Sequence, residues 1–325
     1  MLFFSFPADC EEHAVLKPVM PKSRPRKESM SIEIAGIHFS ICCRYPITFN
    51  RLSPTYSTFI GNSYPSGCDI KVAVMLETGT MPDTSGMIKV FDTERSWSLF
   101  RRNDEYFLGL YSPTFGNQLI WLAHFDRTFE EITIYCGDIF INRENGKITV
   151  SSPLSYPLDQ LLLMYILAKR DGVLIHAAGI HMYEKGFIFP GRSGAGKSTL
   201  SRLFLGRDNT GMFSDDRVIV RKIKGIFDVF GTPWAGDAGI AENANFPLSG
   251  IFFMSHANEN IIKEIKPKEA MEKLVPVTSI PWYDRNVLPE VLACCDGLVS
   301  SVPAYEFSFR PDSEVVNVFE KFISG

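Results

Sequence analysis

One stretch limits what this chain can fold into more than any other: Gly191-Arg192-Ser193-Gly194-Ala195-Gly196-Lys197-Ser198-Thr199. It fits G-x-x-x-x-G-K-[ST], in which glycines let the backbone close around an anion, the lysine reaches the outer phosphates and the next hydroxyl meets Mg²⁺. The apolar run Gly186 to Pro190 before it reads as a short buried strand. After it, Leu200, Leu203 and Phe204 recur at i, i+3 and i+4, one face of a helix. Strand, glycine loop and helix in that order aim backbone N–H groups and a helix N-terminus at a phosphate. The spacing therefore predicts a site for ATP and Mg²⁺, with residues 191–199 around the phosphates and Ser198 holding the metal.

Composition narrows the partners. The chain has 325 residues, is 45% hydrophobic and carries a formal net charge of −4, so it can bury a large core and shows no basic excess for nucleic acid. Its longest apolar run, Leu161 to Ala168, is far shorter than the ~20 residues of a membrane span. Seven cysteines, with no C-x-x-C pair, predict free thiols and a cytoplasmic setting rather than disulfides or zinc. Residues 1–29 interleave Pro21 and Pro25 with Lys22, Arg24, Arg26 and Lys27 and read as a disordered tail. Whether identical chains assemble is left open.

Residues 30–152 read as a β-rich N-terminal domain, antiparallel in pattern. Ile37 to Ile41, Trp97 to Phe100 and Tyr106 to Tyr111 alternate apolar and polar, and residues 101–104 supply a hairpin turn. Residues 153–325 form the second domain. Pro157-Leu158-Asp159 opens a helix that runs to Ala168, with Gly172 placed to end it. Val173 to Ile180 is a buried strand, and Met212 to Val220 a strand interrupted by Asp215-Asp216. Residues 268–274 and 313–323 read as helices.

The chemistry concentrates after the loop. Asp215 and Asp216 lie 18 and 19 residues beyond Lys197. Adjacent residues of a strand face opposite sides, so one carboxylate can serve the metal and the other can take a proton from an acceptor hydroxyl. His176, in an otherwise apolar strand, is either a core histidine or a partner for one of these aspartates. Gly231-Thr232-Pro233-Trp234-Ala235-Gly236-Asp237 is a rigid turn that either presents Trp234 or Asp237 to the site or serves as a structural corner.

Residues 172–220 resemble the catalytic domain of HPr kinase/phosphorylase, whose phosphate-loop core is shared with ATP-dependent phosphoenolpyruvate carboxykinase. The matching residues are His176, the 191–198 loop, and Ser214-Asp215-Asp216-Arg217-Val218. The Gly-Thr-Pro-Trp turn is more similar to related kinases of peptide natural-product clusters, including those that phosphorylate a lasso-peptide precursor. The resemblance implies an α/β core of that type, α+β with the N-terminal region included, and a Mg-ATP-dependent kinase acting on a serine of a peptide or small protein. It implies Asp216 as general base and Ser198 as metal ligand. Asp215, and beyond it Asp237 and Glu242, are the other carboxylates offered to the metal, Glu242 being an imperfect substitute for a Glu-x-Arg-Gly segment that the chain lacks. The arginine-bearing phosphorylase signature is also absent. A nucleotide-sensing module and a small-molecule kinase are the competing readings. A transporter ATPase would need a Leu-Ser-Gly-Gly-Gln signature, and none follows.

Overall fold

Alternation builds the first half. In Ile70–Glu77 the residues Ile70, Val72, Val74 and Leu76 are buried while Lys71, Ala73 and Met75 face outward, the two-residue period of a half-buried strand. The computed structural model describes residues 27–49, 53–61, 70–94, 96–112, 118–192, 194–207 and 209–324. Residues 1–26 of the expected tail, and Ser193 of the loop, lie outside these.

The strands before the first helix are β1 (Lys27–Ile34), β2 (Ile37–Cys43), β3 (Ile47–Thr48), β4 (Ile60–Gly61), β5 (Ile70–Glu77), β6 (Ile88–Asp92), β7 (Trp97–Arg102), β8 (Glu105–Ser112), β9 (Gln118–Phe125), β10 (Glu131–Cys136), β11 (Ile141–Glu144) and β12 (Lys147–Ser151). Nine form one sheet in the order β4-β1-β2-β5-β10-β9-β8-β7-β6, and β11, β12 and β3 form a small second one. The sheet is not purely antiparallel as the pattern suggested: β5 runs parallel to both β2 and β10. Periodicity reports which face of a strand is buried and not the direction of its neighbour. Strand β1 begins at Lys27 and pairs Ser29 with Cys42, so the ordered chain starts before Met30.

The second half follows as α1 (Leu158–Ala168), β13 (Gly172–Met182), β14 (Lys185–Pro190), α2 (Lys197–Phe204), β15 (Thr210–Ser214), β16 (Arg217–Ile223), β17 (Ile226–Phe230), β18 (Asn245–His256), β19 (Ile261–Ile265), α3 (Pro267–Leu274), α4 (Leu288–Ser301), β20 (Ala304–Phe309) and α5 (Glu314–Ser324). Helix α1 ends as expected, but the left-handed residue after it is Asp171 (φ 49°) and not Gly172. Gly172 opens β13 because a Cβ there would lie 2.7 Å from Arg221 and 2.8 Å from Leu167. Helix α4 was not anticipated; it buries Cys294 and Cys295 as small apolar residues.

Pairings β13–β14, β13–β16, β16–β17, β17–β18 and β14–β18 close five strands into a ring, which β20 and β19 extend. On one face, Phe187, Phe189, Phe252 and Phe307 pack against Phe204 of α2 and Phe319 of α5. On the other, Ile188 and Ile251 join one continuous core with α1, α4 and the inner face of the nine-stranded sheet. The two halves thus share a core. They are also joined by polar contacts, Arg221 donating to the Ala35 carbonyl and Thr55 Oγ1 to the Pro233 carbonyl. Among the described residues no helix is long and apolar enough to cross a membrane.

Candidate functional site

Strand β13 changes neighbours on both edges at His176. On one edge β15 pairs with residues 179–182 and β16 with 172–176, leaving Asp215 and Asp216 in the bend between them. On the other edge β14 pairs with 177–182 and then departs into the phosphate loop. Thr278 and Ser279 take over that edge, pairing with Ile175 and bonding the Leu174 carbonyl. Gly191 donates its amide to the His176 carbonyl at 3.1 Å, and Ala177 donates its amide to the Asp216 carbonyl at 3.0 Å. Loop and aspartates are therefore fastened to the two edges of a single peptide group, that between His176 and Ala177.

The loop has the backbone its sequence promised. Gly194 and Gly196 take φ of 85° and 94°, and Gly196 caps α2, so the first amides of that helix face the loop's interior. Lys197 is 7% exposed, and its ammonium donates to the carbonyls of Gly191 (2.8 Å) and Arg192 (3.1 Å). Burial lowers its pKa, and the charge of Asp216 opposes that shift. Ser198 and Thr199 are half-buried in the first turn of α2.

The two aspartates have different surroundings. Asp216 accepts from His176 Nε2 at 3.0 Å and faces Arg217 Nε at 3.4 Å. The His176 hydrogen bond, with Arg217 and Lys197 adding charge, holds its carboxyl below the ordinary aspartate range. Arg217 in turn donates to Ser279 Oγ at 3.3 Å. Asp215 is 2% exposed and turned toward the 236–240 turn, accepting the amides of Gly236 (2.8 Å), Ala238 (2.6 Å) and Ile240 (3.4 Å). Ser214 Oγ shapes the bend by accepting the amides of Asp216 and Arg217, both at 3.3 Å.

The Gly231–Asp237 turn is a structural corner as far as Trp234 is concerned. That side chain is buried, and its Nε1–H is shared between the Tyr56 hydroxyl and Asp159 Oδ2, both at 3.1 Å. Tyr56 donates to the same Asp159 oxygen at 2.6 Å. Asp159 is 1% exposed; burial lifts its carboxyl to about 6, while these donors and the Gln160 amide pull the other way. Asp237 is exposed on the turn. Glu242 is drawn off to His181, whose Nε2 lies 3.2 Å away at the far end of β13.

The structure thus brings together Lys197, Ser198, His176, Asp216 and Asp215, and does not bring Glu242 to them. It adds Arg217 and Ser279, to which the sequence reading gave no role. It also adds His256, whose signal was its place at the end of an apolar strand. In comparison with known proteins, no family model matches the chain and no curated protein matches it.

Proposed function

We propose that the chain is a Mg-ATP-dependent kinase with an HPr-kinase-like phosphate-loop core, transferring the γ-phosphoryl group to a serine hydroxyl of a peptide or small protein in the cytoplasm. The observation that carries this reading is the His176–Asp216 pair fixed one peptide away from the loop's first glycine. A loop that only senses nucleotide needs no oriented carboxylate beside it.

The residues fit the nucleotide. Lys197 rests on two loop carbonyls, contacts that a polyphosphate can replace, and its charge is poised for the β- and γ-phosphates. Mg²⁺ fits through Ser198 and the phosphates and would neutralise charge on the transferred group; such a site needs no cage of several protein carboxylates. We give Asp215 the task of holding the 236–240 turn, since three amides already occupy its oxygens.

The serine Oγ forms the new bond to Pγ, the Pγ–O bond to ADP breaks, and the hydroxyl proton passes to Asp216. Its lowered pKa keeps Asp216 ionised, and the loose transition state of phosphoryl transfer asks little of the base beyond position. His176 fixes the carboxylate's orientation. The five described cysteines are free thiols, in keeping with a reducing compartment.

The test is single-turnover transfer from γ-labelled ATP to serine peptides encoded beside the gene. Label on serine, lost in Asp216→Asn while ATP binding persists, is the expected result. ATP binding with no transfer to any acceptor would replace this reading with a nucleotide sensor.

A further inference from the structure

Strands β14, β18 and β20 run parallel to one another, so their carboxyl ends share one rim. In such sheets ligands bind outside the carboxyl ends. Strand β14 ends in the phosphate loop, β18 in His256 and β20 in Phe309. The register sets their heights. Ile188 pairs with Ile251, so three further residues reach Gly191 and five reach His256, carrying the imidazole past the level at which the loop begins. His256 and Phe309 are paired across β18 and β20, with ring centroids 4.9 Å apart. A Cβ built on Gly196 would lie 3.1 Å from both Cε1 and Nε2 of His256, so the imidazole edge rests against the loop's last glycine.

The neighbouring cation at this rim is already engaged. Arg310 follows Phe309, and its guanidinium pairs with Asp312 and Glu314. His256 is exposed, and among the described residues its imidazole has no hydrogen-bond partner. Gly196 is also the residue from which α2 starts, so the same edge of His256 stands at the positive end of that helix.

Resting on the ATP-site reading above, we propose that His256 is a nucleotide-binding residue whose imidazole donates to the polyphosphate of the bound nucleoside triphosphate. It would supply from β18 a donor that lies outside the loop. Phe309 backs the ring and fixes its orientation, so little rotamer freedom is lost when the contact forms.

Calorimetric titration of ATP and of inorganic tripolyphosphate into the full chain tests this, with wild type, His256→Ala and His256→Gln. Because the residue is on the surface, both variants should keep the wild-type melting temperature. We expect His256→Ala to weaken both ligands by about 10–150-fold, the scale of one hydrogen bond to a charged group. His256→Gln, which keeps an N–H donor, should recover part of that loss. Equal affinities of wild type and His256→Ala for both ligands would overturn the assignment. Loss confined to ATP, with tripolyphosphate unchanged, would overturn it in favour of a contact to the base. Wild type binding neither ligand would instead overturn the ATP-site reading and this proposal with it, an outcome visible without any variant.

Discussion

Replacing Trp234 with phenylalanine removes one N–H donor from a fully buried carboxylate and leaves the rest of the corner in place. Two costs can be separated. The smaller ring leaves unfilled volume in a packed site, about 1–2 kcal/mol. The lost hydrogen bond to Asp159 costs about 1.5–3 kcal/mol while Asp159 is ionised and about 0.5–1.5 kcal/mol while it is neutral. Burial lifts this carboxyl to about 6, so the native state holds the proton longer than an unfolded chain with the ordinary value of 3.8. Wild type therefore loses stability at this residue as pH rises through that interval. Removing a donor penalises the ionised form more than the neutral one, so the variant's deficit should grow with pH. Urea unfolding should give a deficit of about 1.5–3.5 kcal/mol at pH 5, where Asp159 is protonated in both native proteins, rising to about 2.5–5 kcal/mol at pH 9. A deficit equal at the two pH values, or smaller at pH 9, would refute the charged hydrogen bond as the purpose of this indole.

Other outcomes follow from the site. Lys197→Ala should abolish phosphoryl transfer, because it removes the cation at the outer phosphates; turnover within a few-fold of wild type would contradict the assignment. Asp216→Asn should slow single-turnover transfer by about 10²–10⁴-fold with Mg-ATP affinity little changed. Because His176 and its neighbours keep Asp216 below the ordinary 3.8, the acid limb of the rate profile should also lie below that value; a limb centred above about pH 5 would point to a different base. Gly196→Ala should cost about 1–3 kcal/mol of stability through its φ of 94°, and ATP binding with it. The Phe309 ring, 2.8 Å from the added methyl, leaves that residue no room to relax, and thermal melts with and without ATP measure both effects.

The strand, glycine-bearing loop and helix were legible because everything that makes them is local. Strand β14, the glycines and helix α2 occupy one unbroken run, and each carries its own periodicity or turn residue. The His176–Asp216 pairing could be posed as an option, since a histidine in an apolar strand needs a partner, but only the β13–β16 register decides it. Trp234 was not decidable at all: its partners Tyr56 and Asp159 lie 178 and 75 residues away. The division between the aspartates was hidden for a related reason. Asp215 is engaged by backbone amides, which leave no mark on residue type. His256 was missed because no motif marks it, and the register that carries it to the loop is a property of β14 and β18 together.

The core shared by the two halves has a consequence for how the protein is made. The nine-stranded sheet leaves the ribosome before the second half, with Ile41, Val74 and Ile134 not yet joined to the core that α1 and α4 help to complete. Helix α4 ends at Ser301, so that cover is completed only after most of the second half has followed. Arg221 meets Ala35 across 186 residues, and Asn243 meets the Thr58 carbonyl across 185. Contacts of such separation form late and slowly. The nascent N-terminal half must therefore wait in a half-covered state, and neither half completes its core without the other.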